Sequence, residues 1–230
     1  MKIDAKMFLD ERSFPLWNEV NSKSNIELKY WWNRYYECQT SSTSCTIFIP
    51  NQNHKSASFA HELLHIKLHC DGLLLGTEIR VAFAKYELLD SFMPEEMENI
   101  CNCIEHILMW NSYKALGYRD EDFLLDFDTA KSDEEKMFLI GCVLSASKKD
   151  GLAVYLAEYF KIKGCFSKAL KDTNRKLLQT LESIDMDLFI LCEVFIQKLD
   201  SIYLKKSPTE LESAVEYLSS SLWNWAKSDN

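Results

Sequence analysis

Hydrophobic positions change their spacing along this chain. Strand-like patterning, with β-branched and aromatic residues crowded together, is confined to the first fifty residues. Beyond about residue 56 the apolar positions recur every three or four, the spacing of one helix face. Helix is therefore expected to dominate. A short helix is predicted over about 13–22. The segments "IELKYWWNRYYE" (26–37) and "SCTIFIP" (44–50) read as strands, and the turn-like "CQTSSTS" between them makes a β-hairpin. Polar "NQNHKSAS" leads into a helix over about 56–70, and a break at "DGLLLG" leads into another over about 77–92.

The next helix, within "MPEEMENICNCIEHILMWNSYKALG", carries its own ends. Pro94 suits a first helical position, Glu95 and Glu96 oppose the helix dipole in the first turn, and Gly117 stands where a left-handed cap belongs. An acidic connector, "DEDFLLDFDTAKSDEEK", follows. From about 134 onward the pattern predicts three to five amphipathic helices separated by "SKKDG", "KDTN" and "KSPTE". No internal repeat interrupts this order.

Composition narrows the chemistry. The 230 residues are 47% apolar, enough for a sizeable core, and the net charge is −9. An acidic chain without clustered Lys and Arg makes a poor nucleic-acid surface. "KYWWNRYYE" mixes aromatics with Lys29 and Arg34, yet in this setting it reads as a half-buried strand. No stretch of about 18 apolar residues suggests a membrane span. The opening "MKIDAKMFLDERSF" lacks the apolar run of a secretory signal, so a cytoplasmic protein is expected. Eight scattered cysteines with no C-x-x-C pair then read as reduced, core-filling thiols.

The candidate chemistry lies in "SFAHELLHIKLHC" (58–70). His61 and His65 are four apart, one turn along the same helix face, so both rings can address one Zn²⁺, while Glu62 is placed to take a proton from a water on that ion. Leu63, Leu64, Ile66 and Leu68 make the rest of the helix apolar, which predicts a buried helix with a single polar arc. His69, a further turn along, reads as a supporting or core residue, and His54 as a polar surface residue. A third ligand is sought on the Pro94–Gly117 helix. There Glu98, Asn99, Asn102, Glu105, His106, Met109 and Tyr113 gather on one arc, opposite Ile100, Ile104, Ile107 and Leu108. Either Glu105 or His106 can ligate, with Asn102 between them as an orienting group.

"HELLH", preceded by strands and followed by helices, resembles the HExxH zinc metallopeptidases, the zincins. "FAHELLHIKLH" is similar to the helix found in phage-immunity and radiation-response regulatory peptidases. The resemblance covers about residues 25–120. It implies an antiparallel edge strand, here "CTIFIP", that pairs with an extended peptide. Zincins of the gluzincin type take a glutamate from a separate helix as third ligand, which implies Glu105, with His106 or Tyr113 stabilising the oxyanion. Glu78, in "TEIRVAFAKYELL", is the rival for that ligand place. The expectation is thus an α+β protein: a mostly helical zincin-like metallopeptidase domain with a small antiparallel sheet over 1–120, and an all-helical extension over 121–230. It would use Zn²⁺ held by His61, His65 and Glu105, with Glu62 as base, to cleave a peptide or protein substrate. The alternative is a zinc-bearing interaction module with little or no catalysis, in which Trp223 and Trp225 on the last helix serve either the core or a partner surface.

Overall fold

The computed structural model describes residues 3–41, 44–52, 54–124 and 126–228. Among these the protein is mostly helical with one small mixed sheet, the α+β class expected. It divides into two compact units, Met1–Gly72 with Met109–Phe127, and Leu73–Leu108 with Asp128–Asn230.

In the first unit α1 (Phe14–Lys23) leads into β1 (Asn25–Trp31), β2 (Glu37–Thr40), β3 (Ser44–Pro50) and α2 (Ser56–Cys70). Two sequence expectations need correction. The stretch 26–37 is not one strand: it bends over 32–36, where the Trp31 indole N–H donates to Tyr35 O at 2.8 Å and the Asn33 side chain accepts from Arg34 N at 2.8 Å. These local bonds give the backbone an alternative to a ladder. β2 is built instead from Glu37 and the first residues of the predicted turn, Cys38–Thr40; it forms the antiparallel hairpin with β3, while β1 pairs parallel with β3 on its other side, giving the order β1-β3-β2. "CTIFIP" is therefore the central strand, hydrogen-bonded along both sides, and not an edge open to a peptide. Part of the predicted turn, residues 42–43, lies outside the described residues.

Alternation in β3 explains its place. Cys45, Ile47 and Ile49 are fully buried and in register with Ile26, Leu28 and Tyr30 of β1, so these side chains share the face turned to the core. α1 packs on α2, and α2 lies against β2. Ten of the fifteen residues of α2 are buried, the central apolar helix that its composition predicted. Its last turn is tied to α1 by Lys67, whose ammonium reaches Glu19 at 2.6 Å and Asp71 at 2.9 Å.

A second knot holds the chain before α1. Asp10 accepts from the Ser13 N–H at 3.1 Å, the Arg12 N–H at 3.0 Å, the Arg12 guanidinium at 2.6 Å and 3.1 Å, and the Tyr118 hydroxyl at 2.7 Å. Arg12 also donates to Gly117 O at 3.1 Å and lies 3.9 Å over the Tyr118 ring. The point it grips is the stop of α4 (Pro94–Ala115), where Gly117 takes φ +78, the left-handed conformation expected of it.

The second unit contains the start of α4 together with α3 (Leu75–Lys85), α5 (Glu134–Ala146), α6 (Lys148–Lys163), α7 (Lys171–Ile184), α8 (Met186–Lys205) and α9 (Pro208–Lys227). α3 is shorter than the predicted 77–92, ending where Glu87 turns to φ +56 and giving way to a single 3-10 turn at Leu89–Ser91. The polar breaks "SKKDG", "KDTN" and "KSPTE" are helix starts rather than long loops. Ser147 and Ser207 accept from Asp150 N and Glu210 N, and Asp133 and Asp185 cap α5 and α8 in the same way. Gly151 lets α6 approach α5 closely: a Cβ there would sit 2.6 Å from the Leu144 side chain. Among the described residues no helix is long and apolar enough to cross a membrane.

Candidate metal centre

The i, i+4 spacing on α2 sets His61 and His65 side by side, ring centroids 4.9 Å apart, with their Nε2 atoms 3.1 Å from one another. The third member of the group is His106 of α4. One ring nitrogen from each of the three histidines lies within 4.8 Å of the others. All three are buried, at 7%, 8% and 7% exposure. The donor set suits a divalent ion. Nitrogens bonded at about 2.0–2.1 Å to one tetrahedral zinc stand about 3.3 Å apart, close to the His61–His65 spacing, and three imidazoles leave the fourth position open. A buried three-histidine group able to bind a metal ion is therefore part of this fold.

α4 shows why His106 belongs to the group. The arc predicted as one polar face splits along the helix: Glu98, Asn99 and Asn102 are exposed, whereas His106, Met109 and Tyr113 are buried. His106, Trp110 and Tyr113 repeat at intervals of four and three, so they form one stripe. Glu105, one residue earlier and about 100° round the helix, is half-buried and is not one of the three grouped residues. Glu78, in the first turn of α3, is also outside the group, as are half-buried His69 and exposed His54, whose ring stacks on Tyr30.

Glu62 is buried to 7% exposure beside the histidines. Burial pushes its carboxyl up to about 7, against the opposing influences of His65 and of hydrogen bonds from both the thiol and the backbone N–H of Cys38. Cys38 stands on β2, so this strand steadies the carboxylate. Tyr113 is fully buried, and burial raises its phenol well above the ordinary range, keeping it protonated. Its hydroxyl meets no hydrogen-bond partner among the described residues. The ring packs at 4.8 Å on Phe123, which also lies 4.8 Å from His61 and 5.0 Å from Trp110. Phe123 therefore covers the side of His61 that it faces.

Sequence reasoning overlooked two of these residues. Cys38 reads from sequence as a core thiol at the start of the turn-like "CQTSSTS", whereas Glu37–Thr40 forms β2. Phe123 was hidden in the acidic connector, although its apolar neighbours there were a signal of burial. No protein-family model, no curated protein and no solved structure matches this chain. The site is therefore interpreted from its own geometry.

Proposed function

We propose that the protein is a zinc-dependent hydrolase of peptide bonds, with His61, His65 and His106 holding the ion and Glu62 serving as general base. The observation that carries the reading is the buried convergence of three imidazole nitrogens beside a buried carboxyl. His61, His65 and His106 would hold a divalent ion that, when bound, would acidify a water molecule and polarise a carbonyl group. Glu62, adjacent to His61, would accept the proton of the attacking water and pass it on to the leaving amine. The presence of a glutamate next to His61 supports catalysis, since a structural site needs only the ligands. The resemblance to zincins supplies the substrate class. It now favours β2, the edge strand whose Cys38 touches Glu62, as the strand beside which an extended peptide would lie. Cysteines that all stand as free thiols fit the reducing cytoplasm.

The second reading is a structural metal centre in an interaction module. The burial of all three histidines and the Phe123 ring against His61 favour it. Metal analysis and Glu62→Gln separate the two. The wild-type protein is expected to carry about one zinc per chain. Glu62→Gln is expected to keep that zinc and the fold while losing hydrolysis of a denatured protein substrate. Zinc without hydrolysis in the wild type supports the module, and protein that never takes up metal refutes both readings.

A further inference from the structure

β1 forms one side of the sheet. Among the described residues its backbone–backbone hydrogen bonds run to β3 alone, so its outer row of N–H and C=O groups has no ladder partner. Edges of this length usually carry some device against pairing, such as a charge. Here the charges are Glu27 and Lys29, on the solvent face, 58% and 48% exposed and 2.8 Å apart. On the opposite face Ile26 and Leu28 are only half-buried and Tyr30 is 45% exposed. The apolar row that begins on β3 is thus left incomplete at this edge.

We propose that this edge pairs antiparallel with β1 of a second copy of the chain, with Leu28 on the two-fold axis, joining two sheets into one. Pleat and charge together select that register. Opposed residues of an antiparallel pair project from the same face, so a two-fold axis normal to the sheet must pass midway between the two copies of one residue, the residue on the axis. An axis through Glu27 sets carboxylate against carboxylate. An axis through Lys29 sets ammonium against ammonium. Placing Ile26 or Tyr30 on the axis shortens the overlap. With Leu28 on the axis, Glu27 of each copy lies opposite Lys29 of the other, Ile26 lies opposite Tyr30, and Leu28 meets Leu28. The four charges alternate in sign across the joint, and the half-buried apolar row is completed. Two charges that would block a foreign strand therefore become self-complementary in one arrangement. The central "IELKY" carries this symmetry in its order: apolar, acidic, apolar, basic, apolar.

Sedimentation of the full-length chain at low salt tests the proposal. The wild type is expected to be dimeric at tens of micromolar. Glu27→Lys and Lys29→Glu each turn both opposed pairs into like charges and should raise the dissociation constant by about tenfold or more. Both positions are exposed, so the fold should survive, as circular dichroism will check. The doubly exchanged chain, Glu27→Lys with Lys29→Glu, restores opposite charges and should dimerise like the wild type. An equimolar mixture of the two single variants should form a heterodimer, because a chain with two basic edge residues then meets one with two acidic ones. A monomeric wild type overturns the proposal. So does a dimer indifferent to both single substitutions, which would lie on another surface, or a mixture that fails to associate, which would exclude this register.

Discussion

Replacing Asp10 by asparagine removes the charge at the centre of the knot that grips the end of α4. In the folded chain, burial alone would raise the carboxyl, but hydrogen bonds from Tyr118, Arg12 and Ser13 outweigh it and hold the pKa down to about 2, against an ordinary 3.8. The side chain is 29% exposed, so the interaction is only partly screened. A carboxyl held at about 2 rather than 3.8 corresponds to about 2 kcal/mol of stability at neutral pH. Because the folded-state pKa is depressed, that stability is fully present above the unfolded value near 3.8 and disappears as the pH falls through about 2. Urea unfolding followed by circular dichroism should therefore find Asp10→Asn about 2 kcal/mol less stable than the wild type at pH 7. The gap should narrow by about 1 kcal/mol at pH 3. A gap that stays constant between those two pH values, or its absence at pH 7, would show that the Asp10 charge does not hold the knot.

Three other outcomes can be checked. If the protein binds a metal, His106→Ala should lose it and Glu105→Ala should keep it, measured by elemental analysis of purified protein, because only His106 belongs to the converging group; the reverse result would restore the glutamate ligand of the gluzincin analogy. Phe123→Ala should cost about 3 kcal/mol or more in urea unfolding, as a buried aromatic ring is removed, and should speed loss of the ion to a chelator. Lys67→Met should cost little on its own account but leave Asp71 with less compensation, giving a loss of about 1–2 kcal/mol in the same assay; no loss would mean that the pairing with Asp71 and Glu19 contributes nothing net.

Signals that act over a turn or two of chain were legible before any coordinates. Pro94, Glu95, Glu96 and Gly117 delimit α4 because each acts on backbone within reach of its own side chain or its own φ angle. The polar arc on α2 was legible for the same reason, since His61 and His65 are neighbours by helix geometry alone. Partner choice was not. Nothing in "IELKYWW" says that β1 will run parallel to β3, because that pairing depends on the bend at 32–36 carrying the chain past the central place that β3 then fills. Glu105 and His106 differ only in direction around α4, and the helix's rotation about its own axis is set by packing far along the chain. Cys38 is not legible as a strand residue because it opens "CQTSSTS", whose serines and threonines read as a turn, while the bend that precedes β2 lies at 32–36 and is stabilised by the side chains of Trp31 and Asn33 rather than by glycine or proline.

Tyr113→Phe is expected to raise the melting temperature of the protein. A hydroxyl enclosed among Trp110, Tyr118 and Phe123 with no acceptor among the described residues forfeits about 1–3 kcal/mol of hydration. Phenylalanine would fill the same space without that cost. An optimiser of stability alone would therefore choose phenylalanine, and a chain that keeps tyrosine accepts a standing disadvantage at this position. Stability profiling across the aromatic cluster thus separates positions that the fold alone would choose from positions whose polar group it does not need, a comparison that requires no substrate.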